Sequence, residues 1–142
     1  MGADPLDVES ILAAPASDDR AGLAPATTIG HVHLHVSRLA EAERFYVDVL
    51  GFELMQRYGP SALFVSAGGY HHHFGLNTWA GVGAPPPPPG ALGLHHVNVR
   101  MTNHGAAAIV DRLRAAVPFE STAEGVMVHD PAGNAILLTA VG

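Results

Sequence analysis

Three histidines alternate with aliphatic residues in one short stretch of the chain, Gly-His-Val-His-Leu-His-Val over residues 30–36. A β-strand has a side-chain period of two, so this pattern predicts a strand over about 29–36 with an apolar face and an imidazole face. The imidazole face consists of His31, His33 and His35. Imidazole binds divalent metals and exchanges protons near neutral pH, so this face is expected to line a metal-binding or acid–base cavity.

Histidine is the most distinctive component of the sequence. The chain has ten histidines, and eight of them fall in three clusters, at 31/33/35, 71–73 and 95/96. It has no cysteine, which excludes disulfides and thiolate metal sites, so any metal must be held by nitrogen and oxygen ligands.

Composition limits the class of protein. A chain of 142 residues that is 48% hydrophobic and 14% charged is typical of one globular domain with a buried core. The net charge of −6 argues against nucleic acid and anionic membranes as partners, since both require a basic patch. No apolar run is long enough to span a bilayer, and residues 1–4 lack the basic start of a secretion signal. We therefore expect a cytoplasmic protein.

The first half of the chain is predicted to form an arm followed by a β-α-β-β-β module. Residues 1–28 form the arm, with a short amphipathic helix over 5–14 and a linker over 15–28. After the first strand, Ser37 is expected to cap a helix that Gly51 terminates. The remaining strands of module one, residues 29–77, are expected at about 53–58, 62–66 and 70–77.

The second half repeats this order after a proline-rich connector at residues 78–93. Five consecutive prolines, Pro85–Pro89, favour an extended polyproline II conformation. In module two, residues 94–142, the run His-Val-Asn-Val-Arg places His96 where module one has His31, and Asn103 is expected to cap the helix. Its later strands are expected at 117–120, 126–129 and 135–140.

These modules carry motifs that resemble one known family. The motifs are the His-Val-x-Leu-x-Val first strand, the helix with Phe45-Tyr46 that ends Val49-Leu50-Gly51-Phe52, and the Asp-Pro-x-Gly-Asn turn at 130–134. Over about 29–140 the chain resembles the vicinal oxygen chelate superfamily, which includes glyoxalase I, fosfomycin- and bleomycin-resistance proteins and extradiol catechol dioxygenases.

Other segments look like the catechol 2,3-dioxygenase-like branch of that superfamily. They are Tyr58-Gly59-Pro60 and residues 66–73 and 75–79. The stretch Asp-Pro-Leu-Asp-Val-Glu-Ser-Ile-Leu at 4–12 resembles the segment between the two domains of longer members. The chain is therefore expected to correspond to one half of such a protein.

The resemblance implies an α+β fold in which two tandem βαβββ modules form an open, curled mixed sheet with helices outside and metal and substrate in the trough. It places His31 and His96 on the first-strand ligand positions of the two modules. The last-strand position that usually carries a glutamate ligand is Leu137 here.

Period-two alternation in the strand expected at 70–77 adds candidates from module one. It turns His71, His73 and Asn77 into the trough and places His72 behind it. The resulting candidate set has three parts. The expected metal ligands are His31, His73 and His96; the expected proton-transfer residues are His33 and His71; the expected substrate contacts are His35, Asn77, Asn98 and Arg100.

Three kinds of function remain open. The first is an enzyme that uses a divalent metal (Fe, Mn, Ni or Zn) on a small oxygen-chelating substrate, catecholic or dicarbonyl, as a dioxygenase, glyoxalase-like isomerase or lyase. The second, suggested by Leu137, is a metal-free small-molecule binding or resistance-type protein. The third is a non-catalytic module that supports another chain. A replacement carboxylate is expected from Glu53, Glu120, Glu124 or a partner, or none replaces it, and we expect a homodimer.

Overall fold

The computed structural model describes residues 5, 7–13 and 25–141. The predicted first helix is present as α1, Val8–Ala13, and its side chains are exposed. Most of the linker expected at 15–28 lies outside the described residues, as do residues 1–4. Within the described part of the chain, no helix combines the length and apolar character needed to cross a membrane.

Module one folds as a four-stranded mixed sheet with one helical segment. Its strands are β1 Val32–His35, β2 Glu53–Tyr58, β3 Ala62–Ser66 and β4 Phe74–Asn77. They are ordered β1-β4-β3-β2, with β1 parallel to β4 and the other pairs antiparallel. The helical segment is α2, Leu39–Glu43, which continues as a π-helix over Arg44–Val49.

Module two repeats this arrangement. Its elements are β5 Val97–Thr102, α3 Asn103–Ala116, β6 Phe119–Ser121, β7 Val126–His129 and β8 Ala135–Val141. The strands are ordered β5-β8-β7-β6, and β5 is parallel to β8. The predicted α+β fold of two βαβββ modules is therefore confirmed, with each module forming its own mixed sheet.

The core lies between the helices and the inner faces of both sheets. Apolar residues of the two modules belong to one buried cluster, in which the least exposed side chains are Tyr46, Leu63, Val65, Leu76, Leu113, Val128 and Ile136. Burial of apolar area is the main stabilising term in folding, so a continuous core ties the modules into one unit.

The helix starts differ from the sequence prediction by one residue each. Ser37 does not cap α2; the cap position is Arg38, and the Ser37 hydroxyl donates to the Ala84 carbonyl (2.8 Å), which fastens the connector to the end of β1. In α3 the cap is Thr102, not Asn103, and its hydroxyl accepts from the Gly105 N–H (3.3 Å). Propensity does not distinguish Thr102 from Asn103, which are both good capping residues, and it does not foresee that the tertiary bond to Ala84 engages Ser37.

The helix of module one ends as predicted at Gly51, which has φ +84°. The end is also capped from module two. Arg112 of α3 donates to the carbonyls of Val49 (2.7 Å) and Leu50 (3.3 Å), which have no partner in their own helix at this end. The positive φ favours glycine, and a Cβ atom at position 51 would also lie 2.7 Å from the Arg112 Nη2 atom, so a larger residue would displace this arginine.

A candidate metal and substrate site at the start of the first strand

The two faces of β1 are as different as the sequence predicts. Leu34 is buried in the core, whereas His33 and His35 lie on the opposite, exposed face. The ring of His33 lies over Gly75, its register partner on β4. A Cβ atom at position 75 would be 2.7 Å from the His33 Cε1 atom, so glycine leaves the space that this ring occupies. Phe64 and Trp79 lie beside it, with ring centroids 5.9 and 6.2 Å away.

The second histidine cluster does not belong to a regular strand. β4 begins at Phe74, and residues 71–73 form an irregular segment after a turn at Gly68-Gly69. Strand alternation therefore does not apply to them, and the placement of His72 behind the trough is wrong. The His72 ring contacts the histidine face, with its centroid 4.3 Å from that of His31 and 4.6 Å from that of His71. The double glycine before this segment was the available signal, because it favours a turn.

His31, His71 and His72 together form a compact nitrogen donor set. One ring nitrogen from each lies within 4.8 Å of the others, and no other group of three or more potential metal ligands meets this criterion among the described residues. His72 is buried at 4% exposure, and both of its ring nitrogens lack a hydrogen-bond partner. Leaving a buried polar atom unpaired costs about 1–3 kcal/mol. A divalent cation accepts an imidazole lone pair, so the residues present fit a metal.

Two of the histidines at this site, His72 and His33, have lowered pKa values. Burial, together with the neighbouring rings of His31, His71, His33 and His73, lowers the pKa of His72 to about 4. Burial and the proximity of His31 also lower the pKa of His33 below its usual value. Neutral imidazole is the form that binds metal or accepts a proton, so both side chains are in that form at neutral pH.

A groove of about 440 Å³ lies between the starts of β1 and β5. The three histidines predicted from the sequence as metal ligands, His31, His73 and His96, all line this groove. Only His31 also belongs to the compact donor set, so that set borders the groove. His73 is held at the wall, with its Nδ1 atom 2.8 Å from the Ser66 hydroxyl.

The expected substrate contacts divide into two groups. Asn98 and Arg100 of β5 line the groove, and the Asn98 carboxamide oxygen accepts from the Thr139 hydroxyl (2.9 Å). Asn77 and His35 lie outside its lining. Asn77 is buried, and its side-chain oxygen accepts from the Trp79 N–H (3.2 Å).

Leu137 stands where the family pattern has a glutamate. It pairs with Asn98 on β5 and Met127 on β7, and it is buried at 2% exposure. Its neighbours Ile136 and Leu138 belong to the core cluster, so alternation places Leu137 on the opposite face of the sheet. The candidate replacements Glu53, Glu120 and Glu124 are exposed, and among the described residues none of them joins the donor set.

Comparison with known proteins gives consistent results. Residues 28–138 match the profile of the Glyoxalase/Bleomycin resistance protein/Dioxygenase superfamily. The chain is 45% identical over 135 residues to a protein named catechol-2,3-dioxygenase from Bacillus subtilis (strain 168); the match covers 93% of this chain and 47% of that protein. The chain thus spans about half the length of this relative.

Solved structures share the fold. Lactoylglutathione lyase from Agrobacterium tumefaciens is 25% identical, with a TM-score of 0.57 over 81% of this chain and 94% of that one. A glyoxylase/bleomycin resistance protein/dioxygenase domain from Frankia sp. EAN1pec is 19% identical, with a TM-score of 0.60 over 82% of this chain and 98% of that one. At this identity the second likeness concerns the fold alone.

Proposed function

Because this chain belongs to the Glyoxalase/Bleomycin resistance protein/Dioxygenase superfamily, we propose that it is a metal-dependent enzyme acting on a small oxygen-chelating substrate, catecholic or dicarbonyl. The observation that carries this proposal is the group of histidines on the groove between β1 and β5, one of which, His31, also contacts the buried His72, whose ring nitrogens have no hydrogen-bond partner among the described residues. The name of the Bacillus relative supports the catecholic class, although the chain matches only about half of that protein.

The groove offers suitable chemistry for such a substrate. The histidines there would hold a divalent metal, which would supply Lewis-acid activation of the substrate oxygens. Arg100 and Asn98 line the β5 side of the groove and are proposed to orient the oxygens of the substrate. Apolar side chains, among them Phe52 and Val99, also line the groove and offer an apolar surface to the carbon skeleton of the substrate.

One of two histidines near the donor set, whichever does not bind the metal, is proposed to move protons. The ring of His33 is fixed over Gly75, and His71 is exposed beside His31. A proton acceptor near a bound hydroxyl or an acidic C–H is required for ring cleavage of a catechol and for isomerisation of a dicarbonyl adduct.

The test is an activity screen of tag-free protein reconstituted separately with Fe(II), Mn(II), Ni(II) and Zn(II). Oxygen uptake with catechols measures the dioxygenase reaction, and rearrangement of a thiol–dicarbonyl adduct measures the isomerase reaction. We expect turnover with at least one metal and its loss on chelation. Protein that binds catechol equally well with and without metal, and turns nothing over, would instead support the metal-free binding function that Leu137 suggests.

Replacement of Arg100 tests the substrate side of the groove. Losing a hydrogen bond to a charged group costs about 1.5–3 kcal/mol, so Arg100→Ala is expected to raise KM by about tenfold or more. The matched control is Arg38→Ala, because Arg38 is exposed on the helix side and pairs with Glu41. Equal KM values for the two variants would remove Arg100 from the substrate site.

A further inference from the structure

We infer that the metal is held by His31, His71 and His72, a set that comes entirely from module one and excludes the module-two position His96. This inference rests on the proposed metal dependence and specifies the ligands. It differs from the first-strand and last-strand positions of the family pattern, of which only His31 is retained.

The backbone of His73 anchors the segment that carries the two added histidines beside β1. The Val32 N–H donates to the His73 carbonyl (3.0 Å), and the His73 N–H donates to the Val65 carbonyl (2.9 Å). The irregular segment 71–73 is therefore held between β1 and β3. Three nitrogens within 4.8 Å of one another need only small side-chain rotations to reach the roughly 2 Å that separates imidazole nitrogen from a first-row metal.

His72 is the observation that points independently to a ligand. Its ring is buried against Phe64, with centroids 4.8 Å apart, and its two nitrogens have no hydrogen-bond partner. A buried imidazole normally has a partner for each nitrogen. Coordination of a cation gives one of these nitrogens a partner, which the described residues do not provide.

The same set accounts for Leu137. When all three ligands lie in module one, the last strand of module two has no ligand to provide, and an apolar residue is tolerated at that position. Three neutral imidazoles suit Zn(II), Ni(II), Co(II) or Fe(II), and they leave coordination positions open for substrate oxygens. His31 borders the groove, so those positions can be reached by a ligand bound there.

Metal binding itself provides the test, with Co(II) and Zn(II) as probes. Tag-free, chelator-stripped protein is titrated with Co(II), followed by its visible absorption, and with Zn(II), followed by calorimetry. We expect one metal per chain. His71→Ala is the cleanest variant because His71 is exposed and its loss leaves the core intact. We expect it to weaken binding by more than about 100-fold, beyond the 10–100-fold typical of losing an outer-shell partner.

Variants of the other histidines complete the design. His72→Phe retains an aromatic ring against Phe64 and is expected to remain folded by circular dichroism while losing the metal. His104→Ala is the matched surface control and is expected to bind as wild type. Metal affinity that survives His71→Ala but is lost in His73→Ala or His96→Ala would overturn the inference, and so would the absence of any binding.

The inference and the proposed function fail in different ways. One Co(II) per chain that depends on His71 and His72, without turnover of any substrate, supports the ligand set and overturns the enzymatic proposal. Turnover that depends on His96 and is unaffected by His71→Ala or His72→Phe supports the enzyme and overturns the ligand set.

Discussion

Asp130 is the residue that joins the closing turn of module two to the helix of module one. Its buried carboxylate accepts hydrogen bonds from the Tyr46 hydroxyl (3.1 Å) and the Asn134 side chain (2.8 Å). It also accepts from the backbone N–H groups of Ala132 (2.8 Å) and Asn134 (2.9 Å). A buried charge is tolerated when it is paired in this way, so the turn is held rigidly in register with β8.

This arrangement predicts a loss of stability at alkaline pH. Burial, and then the nearby negative charge and hydrogen bond of Asp130, raise the pKa of Tyr46 well above its usual value of 10.0. Above about pH 10 the unfolded chain releases the phenolic proton and the folded protein retains it, so the free energy of unfolding falls as pH rises. Denaturant unfolding of wild type and Tyr46→Phe from pH 8 to 11 measures this slope.

The Tyr46→Phe variant should lack this contribution to the alkaline slope and lose about 1–3 kcal/mol at pH 8, where the hydrogen bond to a charged acceptor is missing. Tyr58→Phe is the matched control, because Tyr58 is 47% exposed. Identical pH profiles for Tyr46→Phe and wild type would contradict the attribution of the alkaline loss of stability to Tyr46.

Single residues also show what the sequence could and could not predict. The turn at 130–134 follows from composition, but the bond from Tyr46 to Asp130 spans 84 positions and depends on the packing of the two modules. The face occupied by His33 follows from alternation. The position of His72 does not, because a bend after Gly69 removes the periodicity on which such a prediction depends.

At the scale of elements, the pairing of β1 with β4 places a histidine over a glycine. Gly75→Ala would put a methyl group 2.7 Å from the His33 ring without a positive φ at that position. The ring has to move, and because His33 lies on the exposed face this should cost less than the roughly 1–3 kcal/mol of overpacking in a core. We expect a displaced His33 ring resonance in NMR spectra and little change in melting temperature.

Gly93→Ala is the control for this change, since a Cβ atom there contacts nothing within 4 Å and its φ is not positive. It should alter stability by less than about 0.5 kcal/mol. If the His33 resonance does not shift in Gly75→Ala, the position of the ring does not depend on the absence of a side chain at position 75.

Elements were predicted well where periodicity is long and poorly where a chain segment bends. β2, β3 and β7 have the bounds that alternation and turn residues indicate. β4 is shorter than expected, because it begins at Phe74. His73, just before it, bonds to Val32 and Val65, but residues 70–73 do not form a regular strand. The π-helix at 44–49 was not predicted, since apolar spacing does not distinguish it from an α-helix.

At the scale of the whole molecule, polar links between the described residues of the two modules supplement the shared core. Asp130 accepts from Tyr46, Arg112 donates to the end of the module-one helix, and the Asn134 side chain donates to the His35 carbonyl (3.0 Å). Internal repetition in the sequence predicts two modules, but not whether they unfold separately. The links and the continuous core indicate that they unfold together.

Coincident unfolding of the two modules is therefore expected. Trp79 is the single tryptophan and lies beside His33, so its fluorescence reports module one. A Trp79→Phe/Phe119→Trp variant reports module two, because Phe119 packs against the common core from β6. Both signals and far-UV circular dichroism should give one denaturant midpoint, and Asp130→Asn should lower it equally for both reporters. Separate midpoints would mean that the core is divided, and the groove between β1 and β5 would then be lost as soon as the less stable module unfolds.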